Sequence, residues 1–172
     1  MSPIEWGRWL IAIVLTGILA WAAVTDIRER KIPNSAVIAV LGLSLPWLAT
    51  YLMLGSFVWV LWAIAGGVIA FVVSFILYAA GVIGAGDSKL FAAVALFTGL
   101  ANLPMLTVAT ALAGGAMAAV SFASRPSRAM TMITLRGKGD FGRGIPYGVA
   151  IAIGAALVVW SVLLKLPLPI QL

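Results

Sequence analysis

Six apolar segments, separated by short polar linkers, set the limits on what this chain can fold into. An α-helix needs about 20 apolar residues to cross the hydrocarbon core of a bilayer, with a range of about 17 to 25. Each segment meets or approaches this length, so we predict an all-α, polytopic integral membrane protein with about six transmembrane helices. The predicted helices are 8–25, 35–54, 57–80, 88–103, 104–123 and 145–166.

The fourth predicted helix is the shortest, and its relation to the fifth has two interpretations. Pro104 begins the fifth helix, since proline is favoured at the first helical position. Helices four and five either both cross the bilayer or form a tight hairpin that does not cross it fully. Small residues at 65–70 and 113–119 permit close approach between helices.

The amino-acid composition agrees with a membrane protein and restricts its chemistry. Hydrophobic residues make up 63% of the chain and charged residues 9%, whereas a soluble domain carries about 25% charged residues. The 172 residues are expected to form one membrane-embedded domain with a polar loop at about 124–144. Since the sequence has no cysteine and no histidine, it excludes disulfides, Ser-His-Asp triads and Cys/His zinc sites. We expect no metal and no other cofactor.

The basic residues predict the orientation of the chain. Six crossings place the linkers near 26–34, 81–90 and 124–144 on one face of the membrane, and the opposite face has only Arg8 and Lys165. Cytoplasmic loops carry the excess of Lys and Arg, so this face is cytoplasmic and both termini lie outside the cytoplasmic (inner) membrane. The net charge of +6 is then explained by topology and by contact with anionic lipid rather than by nucleic acid. The basic residues of the three linkers are Arg28, Arg30, Lys31, Lys89, Arg125, Arg128, Arg136, Lys138 and Arg143.

Two of the five acidic residues have unusual surroundings. Glu5, Glu29 and Asp140 lie in polar stretches and are predicted to be solvated, although Asp140 repeats the Gly-x-Gly-Asp pattern of residues 84–87. Asp26 and Asp87 each adjoin an apolar helix at the predicted cytoplasmic boundary. Ionisable groups at membrane depth are costly and indicate function by default.

Each of these two aspartates also has a structural interpretation. Asp26 follows the first helix, where the helix dipole disfavours a carboxylate, and an ion pair with Arg28 or Arg30 would account for it. Asp87 is suited to cap the start of helix four. A simple cap needs neither Gly84 nor Gly86, which permit a positive φ or the close approach of another part of the chain.

Two crossings separate Asp26 from Asp87, so both return to the same face of the membrane. Two carboxylates held close together share one proton. One then acts as a base toward water and the other as an acid toward a carbonyl oxygen, which cleaves an amide without metal, thiol or histidine.

A Ser–Lys dyad at Ser88 and Lys89 is the competing scheme. Adjacent residues on a helix do not face each other, which disfavours it. Lys89 is expected either to favour the ionised form of Asp87 or to contact a lipid phosphate.

Three motifs resemble those of the type IV prepilin peptidase family, the Gly-x-Gly-Asp (GxGD) intramembrane aspartyl proteases of the type IV pilus. They are "TDIRERKIPN" at 25–34, "GAGDSK" at 84–89 and "GIPYGVAIAIG" at 144–154. The short chain is similar to the Tad/Flp-pilus type, which lacks the cysteine-bearing methyltransferase insert, and the compact archaeal preflagellin peptidases are the alternative within the family.

The resemblance implies a role for seven residues. Asp26 and Asp87 match the catalytic pair. The residues that match substrate-binding or site-shaping positions are Gly84, Gly86, Lys89, Pro146 and Tyr147. Pro146 and Tyr147 also have a structural interpretation, as a proline-initiated helix with an interfacial tyrosine.

Two functions are therefore carried forward. The first is a membrane aspartic endopeptidase that cleaves the basic leader of a prepilin, whose apolar helix lies in the lipid, with the pilus assembly machinery as a further partner. The second is a proton- or cation-coupled transporter, or a pilus-assembly membrane protein, that uses the same buried carboxylates.

Overall fold

The computed structural model describes residues 2–124 and 146–164 and contains, within them, six α-helices and no strand. The predicted all-α fold is confirmed for this part of the chain. The polar loop expected at 124–144 lies, except for Ser124, outside the described residues, and so do Asp140 and Lys165. The helices are α1 (Pro3–Glu29), α2 (Asn34–Met53), α3 (Phe57–Ala79), α4 (Ala85–Thr98), α5 (Leu103–Ser124) and α6 (Tyr147–Leu163).

Four of these helices are long and apolar enough to cross a membrane. They are α1, α2, α3 and residues 103–121 of α5, while the apolar α6 is somewhat shorter. The multi-pass membrane protein predicted from the apolar segments is therefore confirmed. At 1.5 Å per residue, the 14 residues of α4 extend about 21 Å, less than the roughly 30 Å of a bilayer core.

The prediction that the fourth helix runs from 88 to 103 was wrong at both ends. The helix begins at Ala85 and ends at Thr98 because Gly99 adopts a positive φ of 69°, a conformation that glycine adopts without steric cost. Leu100 then donates its backbone N–H to the carbonyl of Trp62 on α3. A turn of residues 99–102 leads into α5, which packs chiefly on α6 rather than pairing with α4 as a tight hairpin.

The predicted end of the first helix at residue 25 was also wrong. Helix α1 continues to Glu29, and Arg30, with a φ of 55°, donates its N–H to the carbonyl of Asp26. The apolar run ends at Thr25, but the following polar residues continue the helix to Glu29, and the positive φ of Arg30 ends it there. Asp26 therefore lies within the last turn of α1 rather than beyond it.

Helix α4 lies at the centre of the bundle, against α2, α3 and α6. Its buried side chains include Leu90, Val94 and Phe97. Close packing on α3 depends on the predicted small residues, since a Cβ at Gly66 would lie 2.7 Å from the backbone carbon of Gly99. Helix α1 packs on α2 and α6. The ends of α1 and α3 thereby meet the beginnings of α4 and α6.

Candidate active site

Asp26 is buried at the point where α1 ends and α6 begins. Its side chain is 6% exposed, and the backbone N–H of Gly148 donates a hydrogen bond of 2.8 Å to its Oδ2. The first N–H groups of a helix have no partner within the helix and carry its partial positive charge. The start of α6 therefore stabilises the Asp26 carboxylate, whereas the C-terminal end of α1 disfavours it.

The structural interpretation of Asp26 as an ion-pair partner has partial support. Arg30 lies near enough for its positive charge to act on the carboxylate. The hydrogen bond to the buried oxygen comes from Gly148 instead. A surface ion pair alone therefore does not account for the position of Asp26.

Asp87 occupies the third position of α4 and not the cap position of its structural interpretation, although its side chain takes part in capping. The cap is Gly84, whose N–H donates a hydrogen bond of 3.2 Å to Oδ2 of Asp87. The carboxylate thus turns back toward the chain that leads into the helix. Like Asp26, it accepts a hydrogen bond from a backbone amide of a glycine.

The two glycines before Asp87 are needed because other atoms approach them closely, and not because they adopt a positive φ. Gly84 has extended backbone, with a φ of −76°, but a Cβ there would lie 2.8 Å from Oδ2 of Asp87. A Cβ at Gly86 would lie 3.1 Å from Cβ of Ile32. The glycines therefore let the start of α4 fit against Asp87 itself and against the linker between α1 and α2.

Ile32 connects the surroundings of the two aspartates. It packs against Gly86 on one side, and a Cβ at Gly148 would lie 3.0 Å from its Cδ1 on the other. The same Cβ at Gly148 would lie 2.9 Å from Oδ2 of Asp26. One apolar side chain from the linker is therefore held between the beginnings of α4 and α6.

The two carboxylates interact electrostatically. Asp87 lies outside the four helices that can span a membrane. Burial raises the pKa of Asp87, the negative charge of Asp26 raises it further, to about 6, and the Gly84 hydrogen bond opposes both effects. Mutual repulsion of this kind favours a pair that holds one proton between two carboxylates.

The chain matches a known protein family. The model of the type IV leader peptidase family matches residues 13–119, which is more than half of the chain. The chain belongs to the type IV leader peptidase family. The match includes Asp26 and Asp87 and ends before Pro146. No curated protein matches the chain, and no solved structure does so.

Membership of the type IV leader peptidase family makes the chain a peptidase. Two side chains of its second motif face away from each other. Ser88 is buried and donates a hydrogen bond of 3.0 Å to Oγ of Ser74 on α3. Lys89 is exposed, and its Nζ donates a hydrogen bond of 3.5 Å to Oδ1 of Asn34 on α2. The leader peptidase therefore does not align Ser88 and Lys89 as a dyad.

The third motif lies at the start of α6. Pro146 immediately precedes the helix and Tyr147 is its first residue, so the proline-initiated helix is confirmed with Pro146 at the cap. Tyr147 lines a cleft together with Asp87. The motif thus contributes to the surroundings of both aspartates, through Tyr147 beside Asp87 and Gly148 bonded to Asp26.

Two residues of the candidate site in this leader peptidase were missed from the sequence. Gly148 follows Pro146 and Tyr147 directly, so the third motif already marked its position. In the sequence Ile32 is notable only as the residue before Pro33, and no local pattern indicates that it contacts α4 and α6. Of the seven predicted residues, Lys89 is the one whose hydrogen bond joins α4 to α2, away from the aspartates.

Proposed function

We propose that this leader peptidase is a membrane aspartic endopeptidase that removes the leader of prepilins at the cytoplasmic face of the inner membrane. The observation that carries the proposal is the interaction of the buried carboxylate of Asp26 with the partly buried carboxylate of Asp87, each hydrogen-bonded to a glycine amide. The match of residues 13–119 to the type IV leader peptidase family supports the reaction class. The sequence leaves no thiol or imidazole to perform it.

The reaction needs one proton between the two carboxylates and one water molecule. The ionised aspartate takes a proton from water as the water oxygen attacks the carbonyl carbon, and the protonated aspartate gives its proton to the carbonyl oxygen. The resulting gem-diol then collapses, the C–N bond breaks, and a proton passes to the leaving amine. When both products have formed, the two carboxylates again hold one proton between them. The glycine amides hold each carboxylate by a single oxygen, which leaves the other oxygen for water or substrate.

The position of the pair suits a leader that lies in the cytoplasm. Both aspartates lie at the end of the bundle where α1 ends and α4 and α6 begin. The exposed Arg28 and Lys31 lie at the same end, which the positive-inside bias assigns to the cytoplasm. Both termini then lie outside, and one membrane-embedded domain holds the whole site.

Cleavage by the purified protein tests the proposal. In detergent and without other components, the wild type is expected to cleave a prepilin with a basic leader and an apolar helix. Asp26→Asn and Asp87→Asn are expected to abolish cleavage at unchanged protein level. Glu29→Gln is the matched control, since Glu29 is an exposed carboxylate in the same last turn of α1.

The same experiment separates the peptidase from a transporter. A proton- or cation-coupled carrier that uses these carboxylates does not cut a peptide. Full activity of either asparagine variant, or no cleavage by the wild type, would contradict the proposal.

A further inference from the structure

A cleft beside Asp87 opens between α3 and α5. Helices α3 and α5 form its walls, and α4 and α6 form its floor. Its volume is about 410 Å³. Asp87 is the one charged residue among the described residues that line it, and most of the others are apolar. The lining residues used below are Val73, Leu77, Asp87, Thr107, Gly115 and Ala118.

The cleft has the length of a short stretch of helix. Its α5 wall extends from Thr107 to Ala118, which corresponds to about 17 Å, or three helical turns, at 1.5 Å per residue. Asp87 and Tyr147 are at the end of the cleft near the beginnings of α4 and α6. An occupant that follows the cleft therefore has one end at a proposed catalytic carboxylate.

The walls expose apolar surface that an apolar occupant would cover. On α3, Val73 is 52% and Leu77 40% exposed. On α5 the wall consists largely of small residues, and a Cβ at Gly115 would meet nothing within 4 Å. Small residues let the backbones of membrane helices approach closely. Asp87 disfavours an anionic lipid headgroup at this end of the cleft.

We propose that the apolar helix of the substrate docks in this cleft, which it enters from the lipid between α3 and α5. One face of about three turns of that helix lies in the cleft, and the peptide bond just before the helix lies at Asp87. The inference rests on the proposed endopeptidase activity. It adds to that proposal the surface that recognises the substrate. This surface selects a leader that is followed by an apolar helix, and it determines which peptide bond is cut.

Filling the cleft provides the first test. In proteoliposomes that contain a prepilin, Gly115→Leu is expected to lower kcat/KM at least tenfold, mainly through KM, because the added side chain occupies the space of the substrate helix. Gly17→Leu is the matched control, since Gly17 is an exposed glycine of α1 that also has open space around it. It is expected to change kcat/KM less than twofold, and thermal unfolding of both variants checks that they fold.

Disulfide mapping provides the second test, for which the absence of native cysteine is an advantage. Gly115→Cys is expected to form a disulfide with a single cysteine placed in the first three turns of the substrate's apolar helix. Gly17→Cys is expected to form none.

The outcomes distinguish this inference from the activity on which it rests. If the wild type cleaves the prepilin but Gly115→Leu is unimpaired, the docking site is wrong and the endopeptidase stands. The same follows if Gly115→Cys fails to bond the substrate or bonds a second copy of the chain instead. If the wild type does not cleave, the endopeptidase is wrong and the docking site with it.

Discussion

The backbone N–H of Gly148 lies 2.8 Å from Oδ2 of Asp26, although 122 residues separate them in the chain. This hydrogen bond joins the last turn of α1 to the first turn of α6. It fixes one carboxylate oxygen of the candidate pair, and the N-terminal end of α6 adds a favourable dipole. The third sequence motif therefore positions the aspartate of the first motif through a hydrogen bond from the backbone of Gly148.

A methyl group at Gly148 is expected to damage the site and leave the bundle folded. In Gly148→Ala the new Cβ would lie 2.9 Å from Oδ2 of Asp26 and 3.0 Å from Cδ1 of Ile32, so the carboxylate must move. We expect kcat/KM for a prepilin to fall at least tenfold, and overpacking to cost about 1–3 kcal/mol of stability. Initial rates and thermal unfolding in detergent measure both effects.

Gly17→Ala is the control for Gly148→Ala, because Gly17 is a helical glycine with nothing within 4 Å of the added Cβ. It is expected to retain wild-type activity. Wild-type kcat/KM in Gly148→Ala would show that the position of Asp26 does not depend on this contact.

Removal of the Asp87 charge is expected to stabilise the protein at high pH. The pKa of Asp87 is raised from 3.8 to about 6, chiefly by burial and then by the charge of Asp26. The folded protein therefore binds this proton more tightly than the unfolded chain does. The resulting stabilisation is complete below pH 3.8 and is lost as the pH rises through 6. At pH 8 the free energy of unfolding of Asp87→Asn should exceed that of the wild type by at most about 3 kcal/mol, at roughly 1.4 kcal/mol per tenfold change in proton affinity, and its melting temperature should be correspondingly higher. At pH 4 the two proteins should melt alike.

Thermal unfolding of Glu29→Gln at both pH values is the control for Asp87→Asn, since Glu29 is exposed. It should match the wild type at each pH. A melting temperature of Asp87→Asn that lies below the wild type at pH 8 would contradict a partly buried carboxylate with a raised pKa.

The sequence was sufficient to place Asp26 and Asp87 on one face, because the number of crossings between them follows from the apolar runs alone. It did not give the helix ends. The apolar run stops at Thr25, whereas α1 ends at Glu29, since the boundary of an apolar run and the end of hydrogen-bonded backbone have different causes. Likewise α4 stops at Gly99 because of its positive φ, inside a stretch that remains apolar.

The contacts that complete the site could not be predicted from local patterns. Ile32 meets Gly86 and Gly148, which lie on two helices far apart in the chain, and only tertiary packing brings them together. The glycines of the second motif could be predicted to permit close approach. Which side chain approaches them depends on how the linker between α1 and α2 folds.

Cleavage is expected to decrease as the pH rises above about 6. The proposed reaction needs one protonated carboxylate, and the pKa of Asp87 lies at about 6. Above the higher apparent pKa of the pair, kcat/KM should fall about tenfold for each pH unit, as for any single essential proton. Initial rates between pH 4 and pH 9 test this, with thermal unfolding at each pH to exclude denaturation. A kcat/KM that increases steadily from pH 6 to pH 9 would indicate a different general acid.

Removal of the Ser88 hydroxyl is expected to affect stability and not catalysis. Ser88 is buried and donates its hydroxyl to Oγ of Ser74, not to Lys89, so it is placed as a link between α3 and α4 and not as a nucleophile. Ser88→Ala should retain kcat/KM within about threefold. It should lose about 1 kcal/mol of stability, a typical value for one hydrogen bond.

Ser74→Ala removes the other partner of the same bond and should cost at least as much, because the Ser74 hydroxyl also bonds to the carbonyls of Phe71 and Ser88. Because the residues share one interaction, the double variant should lose less than the sum of the two single losses. Thermal unfolding measures these differences, and complete loss of cleavage in Ser88→Ala would return the serine–lysine scheme to consideration.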